Sequence, residues 1–240
     1  MNYSNHSIIS RRDALKLGAI GTLGLAATAS NLLWQIQQAE AAELPSASAS
    51  FSPDAALQKL MEGNQRFVQH QPQYPDQTAA RLQEVAQAQH PFATVLSCAD
   101  SRVSPEILFD QGIGDIFDVR VAGNIATPEV LGSIEYAVAL LSTPLLMVLG
   151  HERCGAVTAA VQNEPLPGDI GTFVQAILPA IDRVKDQPGD AVDNAVAENV
   201  RYQIEQLQRS PLLSERLQSG QLKIVGTRYD LDTGTVTMVA

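Results

Sequence analysis

An α/β fold with a central, mostly parallel β-sheet flanked by helices is the architecture this sequence predicts. Short apolar runs alternate with stretches of helical period, the pattern of strands joined by crossover helices. One run, "PLLMVLGH" (144–151), is apolar almost throughout, as a strand buried on both faces of a parallel sheet has to be. Only at the C-terminus do two strand-like runs, "LKIVGTRYD" and "TVTMVA", stand close enough to form a hairpin, across "LDTG".

The first 42 residues stand outside this pattern. "SRRDALKLGAIGTLGLAATASNLL" opens on Arg11 and Arg12 and runs into a weakly apolar stretch rich in Ala and Gly. A positive start, an apolar middle and a small-residue exit describe an export signal, with Ala39-Glu40-Ala41 as the exit. The paired arginines, between Ser10 and Leu15-Lys16, resemble the bacterial twin-arginine (Tat) pattern. The apolar stretch is short and broken by Thr, Ser and Asn, so no stable membrane span is expected. The expected destination is the periplasm, or a thylakoid lumen if the source is photosynthetic. The twin-arginine route carries proteins already folded, which is compatible with a metal loaded before export.

Residues 43–52 read as a flexible Ser/Ala linker, and the folded domain is expected over 53–240. Ser52 before Pro53 is a helix start, cap then first turn. Leu57, Leu60, Met61, Phe67 and Val68 share one face, so 53–69 reads as an amphipathic helix ended by "QPQYPDQ". "PFATVLSC" is a β-rich run stopping at Cys98, and "DIFDVRVAG" (115–123) supplies a second strand. Thr127-Pro128 opens a helix with Val130, Leu131, Ile134, Val138 and Leu141 on one side. After the central strand "GAVTAAVQ" restarts a helix at once. Residues 171–185 and 194–208 give two more, the second aligning Val196, Val200, Ile204 and Leu207.

The chain has 240 residues, 45% apolar and 18% charged, with a net charge of −10. That length allows one substantial domain, and the acidity argues against a nucleic-acid partner, which needs a basic patch. There are only two cysteines, Cys98 and Cys154, so at most one disulfide. Both lie where strands end, the edge at which parallel sheets gather their ligands.

"GHERCG" places His151 and Cys154 three residues apart, a spacing that puts both on one side of a first helical turn. A thiolate and an imidazole there form half a zinc site. Cys98 would complete a Cys-His-Cys set with one tetrahedral position open, the arrangement of catalytic rather than structural zinc. A Cys-His nucleophile pair is the competing reading, but it leaves the second cysteine and Asp100 with Arg102 unexplained. A carboxylate beside zinc can orient a zinc-bound hydroxide, and would itself be drawn to the metal. The planar fork of an arginine is suited to hold it away.

"C-x-D-S-R" followed some fifty residues later by "H-x-x-C-G" resembles the β-class carbonic anhydrases. The likeness runs from "ALQKLMEGNQRFV" through "PEILFDQGIGDIFDVRVAGN", "LGSIEYAV" and "LGHERCGAV" to "LKIVGTRYDLDTG". It implies one zinc ion per subunit on Cys98, His151 and Cys154, with Asp100 and Arg102 as catalytic dyad. It implies substrate contacts at Gln89, Phe117, Tyr136 and the backbone of Gly155, where a helix N-terminus can receive a bicarbonate oxygen. Gln89 aligns the chain with the plant-like, accessible branch. The implied reaction is reversible hydration of carbon dioxide to bicarbonate and a proton by zinc-bound hydroxide. Carbon disulfide or carbonyl sulfide hydrolysis on the same site, or a non-catalytic bicarbonate-binding module, are the alternatives. The implied assembly is a homodimer, or a higher oligomer of dimers, joined by an N-terminal helical arm and an extended sheet. Residues 53–69 are the candidate arm.

Overall fold

The computed structural model describes residues 51–240; the leader 1–42 and residues 43–50 of the expected linker lie outside the described residues. One sheet has the strand order β2-β1-β3-β4-β5, made of β1 (Ala93–Ser97), β2 (Ile116–Arg120), β3 (Leu145–His151), β4 (Lys223–Tyr229) and β5 (Val236–Met238). The first four run parallel, and β5 returns antiparallel to β4 as the expected hairpin. β3 lies at the centre with all seven residues buried, as its unbroken apolar run requires.

The helices are α1 (Pro53–Val68), α2 (Ala79–Val85), α3 (Pro105–Leu108), α4 (Pro128–Leu140), α5 (Gly155–Gln162), α6 (Gly171–Val184), α7 (Ala191–Gln208) and α8 (Pro211–Gln218). Side chains of Ser52, Thr127, Asp190 and Ser210 accept from a backbone N–H three residues on, capping α1, α4, α7 and α8. Both ends of the predicted helices 53–69 and 171–185 and the end of 194–208 hold to within a residue; α7 begins earlier than expected because Asp190 caps it. No described helix is long and apolar enough to cross a membrane.

Each face of the sheet has its own core. On one, Ala56 and Leu60 of α1 pack with Phe109, Val95, Met147 and Leu149. On the other, Ile134 of α4 and Val200, Ile204 and Leu207 of α7 cover Leu96, Leu146 and Val148. Of the amphipathic stripe of α1 only Leu60 is buried; Leu57, Met61 and Phe67 pack against the same core and stay partly exposed. Phe51, assigned to the linker by composition, stacks on Phe92 with ring centroids 5.1 Å apart.

α7 lies unusually close to the sheet. A Cβ on Gly150 would meet Val200 Cγ2 at 2.6 Å, and one on Gly226 would meet Val200 Cγ1 at 2.7 Å and Ile204 Cδ1 at 2.8 Å. Two bare glycines on adjacent strands therefore let the helix settle onto β3 and β4. Gly226→Ala should force it outward, at a cost of about 1–3 kcal/mol; a denaturant midpoint equal to that of the parent would refute this.

β2 is an edge strand, and its Asp118 has a buried Oδ1 with no hydrogen-bond partner among the described residues. Burial above all, then repulsion from Glu106, pushes this carboxyl from 3.8 up to about 7, with Arg120 opposing. A raised folded-state value means that folding takes up a proton between roughly pH 4 and pH 7, so stability declines as pH rises through that window. Asp118→Asn should remove the decline. Its gain at pH 8 is on the order of 1–2 kcal/mol, once solvent screening of this partly exposed group is allowed for. Melting curves at pH 5 and pH 8 check it, and equal gains at both would contradict the assignment.

Candidate metal centre

Strand register assembles the site. Ser97 pairs with Leu149, which carries Cys98, the next residue, to the level just before His151 at the end of β3. The chain then turns through Arg153 in the left-handed region (φ 48°), and Cys154 becomes the residue preceding α5. The result is three buried ligand atoms from Cys98, His151 and Cys154 within 4.8 Å of one another. The two sulfurs are 3.9 Å apart.

The donor set fits a soft cation. His151 Nδ1–H donates to the carbonyl of Glu152 at 2.8 Å, which leaves Nε2 as the bare lone pair. That atom is buried and has no partner among the described residues. A buried acceptor left so is costly, and a metal would satisfy it. The thiols point the same way. Hydrogen bonds from Cys154 and from the Gly123 and Asp100 backbone hold the Cys98 thiol well below its usual range, against the effect of burial. Cys154 is driven up, first by that same contact with Cys98 and then by burial. With the two sulfurs 3.9 Å apart, a pair of thiolates would repel each other, and a cation would relieve that repulsion.

Asp100 sits on Arg102. Arg102 donates from Nε to Oδ1 at 2.9 Å and from Nη2 to Oδ2 at 2.7 Å, and its backbone N–H adds a third bond to Oδ1 at 2.9 Å. These hydrogen bonds hold the Asp100 carboxyl far below the ordinary carboxylate range. Oδ2 lies 3.8 Å from His151 Nε2, at the mouth of the ligand cluster.

The carbonic anhydrase family model matches residues 93–236. Carbonic anhydrase 2 of Mycobacterium tuberculosis is 43% identical over 192 residues, covering 78% of this chain and 93% of that protein. The carbonic anhydrase of Mycolicibacterium smegmatis is 44% identical with the same coverage. Among solved structures, the β-carbonic anhydrase CcaA superposes with a TM-score of 0.62 at 29% identity, over 75% of this chain and 93% of that one. The Coccomyxa β-carbonic anhydrase bound to acetazolamide gives 0.62 at 28%, over 76% and 85%. The chain belongs to the β-carbonic anhydrase family.

Not every residue expected of a β-carbonic anhydrase site meets the metal ligands within one chain. Gly155 does, as the first residue of α5. Phe117 and Tyr136 meet each other, ring centroids 6.1 Å apart, but Phe117 is level with Thr94 on β1. Thr94 is four residues before Cys98, about 13 Å along a strand. Gln89 lies further back, exposed, before β1 begins. Parallel strands start at one edge of the sheet and finish at the other, so these three residues occupy the opposite edge from the ligands.

Sequence reasoning missed Arg120. From the end of β2 it donates through Nε and Nη2 to the Cys98 carbonyl at 3.1 Å each, and through Nη2 to the Asp100 carbonyl at 2.7 Å. It thereby pins both ends of the turn that separates a ligand from the dyad. Only the "VRVAG" stretch marked its place, and nothing in it revealed a side chain acting on backbone oxygens.

Proposed function

We propose that the chain catalyses zinc-dependent, reversible hydration of carbon dioxide to bicarbonate and a proton. The observation that carries the reading is the buried Cys98, His151 and Cys154 trio with a clamped carboxylate at its mouth. Cys98, His151 and Cys154 would hold the zinc, which would supply a Lewis acid able to bring the pKa of water near neutrality. Asp100, kept ionised by Arg102, accepts a hydrogen bond from the attacking oxygen and orients its lone pair. Arg102 holds the carboxylate off the ligand atoms and would keep it from binding the metal itself. The backbone N–H of Gly155, first residue of α5, is the group we assign to receive a bicarbonate oxygen.

We also infer a homodimer or higher oligomer. Gln89, Phe117 and Tyr136 serve the reaction if a second copy presents them across the open edge of β2, which among the described residues pairs on one side only. The clamped Asp100 and the presence of Gln89 support the accessible, plant-like branch. The twin arginines at 11 and 12 support export of a folded, metal-loaded protein to the periplasm or a thylakoid lumen. A stopped-flow hydration assay with metal analysis tests the activity, with carbon disulfide and carbonyl sulfide as parallel substrates. A metal-loaded dimer that turns over none of them would favour a bicarbonate-binding module instead.

A further inference from the structure

α7 carries two amides, Asn199 and Gln203, one turn apart within the apolar face formed by Val196, Val200, Ile204 and Leu207. They are 1% and 2% exposed. A buried amide is costly unless its hydrogen bonds are made, and these are made in a fixed direction. The Ala126 N–H donates to Gln203 Oε1 at 2.9 Å, which settles the orientation of that amide. Gln203 Nε2 then donates to Asn199 Oδ1 at 2.9 Å. Asn199 Nδ2 is left to donate to the Gly123 carbonyl, also at 2.9 Å. Gly123 finally donates its own N–H to Cys98 Sγ at 3.3 Å.

Every donor in this relay points towards the sulfur. Gly123 is the hinge of it: its φ is +73°, and a Cβ there would meet Ile177 Cδ1 at 2.7 Å. A glycine can swing between several backbone conformations at little cost. Its N–H and its carbonyl lie in neighbouring peptide planes hinged at Cα, so the grip of Asn199 on the carbonyl, together with the Asn124 N–H bond to the Val121 carbonyl at 2.9 Å, restrains that hinge and limits how far the N–H can swing from the sulfur.

We infer that Asn199 and Gln203 are positioning residues that hold the Gly123 N–H against Cys98 and so set how strongly that sulfur donates charge to the metal. The inference rests on the zinc reading of the site. An N–H bonded to a thiolate draws charge from it, which leaves a bound metal more acidic and offsets part of the damping that two sulfur ligands impose.

The test uses the cobalt(II)-loaded full chain with Asn199→Leu and Gln203→Met. The thiolate-to-cobalt charge-transfer band should move to lower energy and the pH midpoint of kcat should rise. Gln203→Met should shift both the same way but less, since Asn199 remains. A purely structural role would lower the melting temperature and leave the band and the pH midpoint in place, which overturns the inference. Should neither variant fold, the parent chain loaded with cadmium-113 decides. A scalar coupling between the metal and the Gly123 amide proton is expected, and its absence overturns the relay. A parent chain that takes up no zinc, cobalt or cadmium would bring down the zinc reading together with this inference; metal uptake without the expected shifts brings down the inference alone.

Discussion

Cys98→Ser is expected to lose metal and activity together. Serine has nearly the same volume as cysteine, and the position is buried beside Ile125 and Cys154, so the fold should survive, as circular dichroism can show. A hydroxyl is a poor zinc ligand beside a thiolate. Spreading the roughly 10–16 kcal/mol of a tight protein zinc site over three ligands makes each worth about 3–5 kcal/mol, so affinity should drop by about 10²- to 10⁴-fold. Zinc content after dialysis should then fall from near one per chain to a small fraction, and carbon dioxide hydration with it. Full hydration by a folded, metal-free Cys98→Ser protein would sink the zinc reading.

Arg102→Ala should have the second-largest effect, by a different route. Three hydrogen bonds from this one residue keep the Asp100 carboxylate turned away from His151 Nε2, to which Oδ2 is already only 3.8 Å distant. Without the side chain the carboxylate is free to close the fourth metal position, and two of its donors are gone. Its carboxyl should return towards ordinary values, so ionisation of Asp100 should be lost at a higher pH on acidification than in the parent. At neutral pH the hydration rate should fall about 100-fold, the scale expected when an oriented catalytic group is misplaced. Arg102→Lys should recover only part, because an ammonium cannot grip both oxygens in the plane of the carboxylate. Azide binding to the cobalt-substituted protein reports the open position. If azide binds the alanine variant as it binds the parent, and the rate is unchanged, Arg102 is not the clamp.

Much of the fold was legible in the sequence, because burial writes a pattern. The all-apolar run ending at His151 announced a central strand, and Ser52-Pro53 and Thr127-Pro128 announced helix starts. α2 escaped notice because none of its residues is buried, so it has no apolar stripe to read. α8 buries only Leu213, and its Ser210-Pro211 start was the one usable signal. The ligand trio and the Asp100–Arg102 pair were legible because their chemistry resides in side-chain identity at strand ends. Arg120, Asn199 and Gln203 act on backbone groups supplied by other elements, which no local spacing encodes. The two amides did leave a trace, as polar residues at i and i+4 inside the Val196, Val200, Ile204 and Leu207 face. The separation of Gln89, Phe117 and Tyr136 from the ligands follows from strand direction, and becomes visible only once β1 and β2 are seen to run parallel.

The pairing of Ser97 with Leu149 has one further effect. Side chains alternate along a strand, so a slip of one residue between β1 and β3 would turn Cys98 to the other face and carry it out of reach of His151. Only a correctly threaded sheet presents all three ligands at once. Metal affinity would then gauge strand alignment, and a tightly bound ion would select the properly folded chain over its misaligned competitors by mass action.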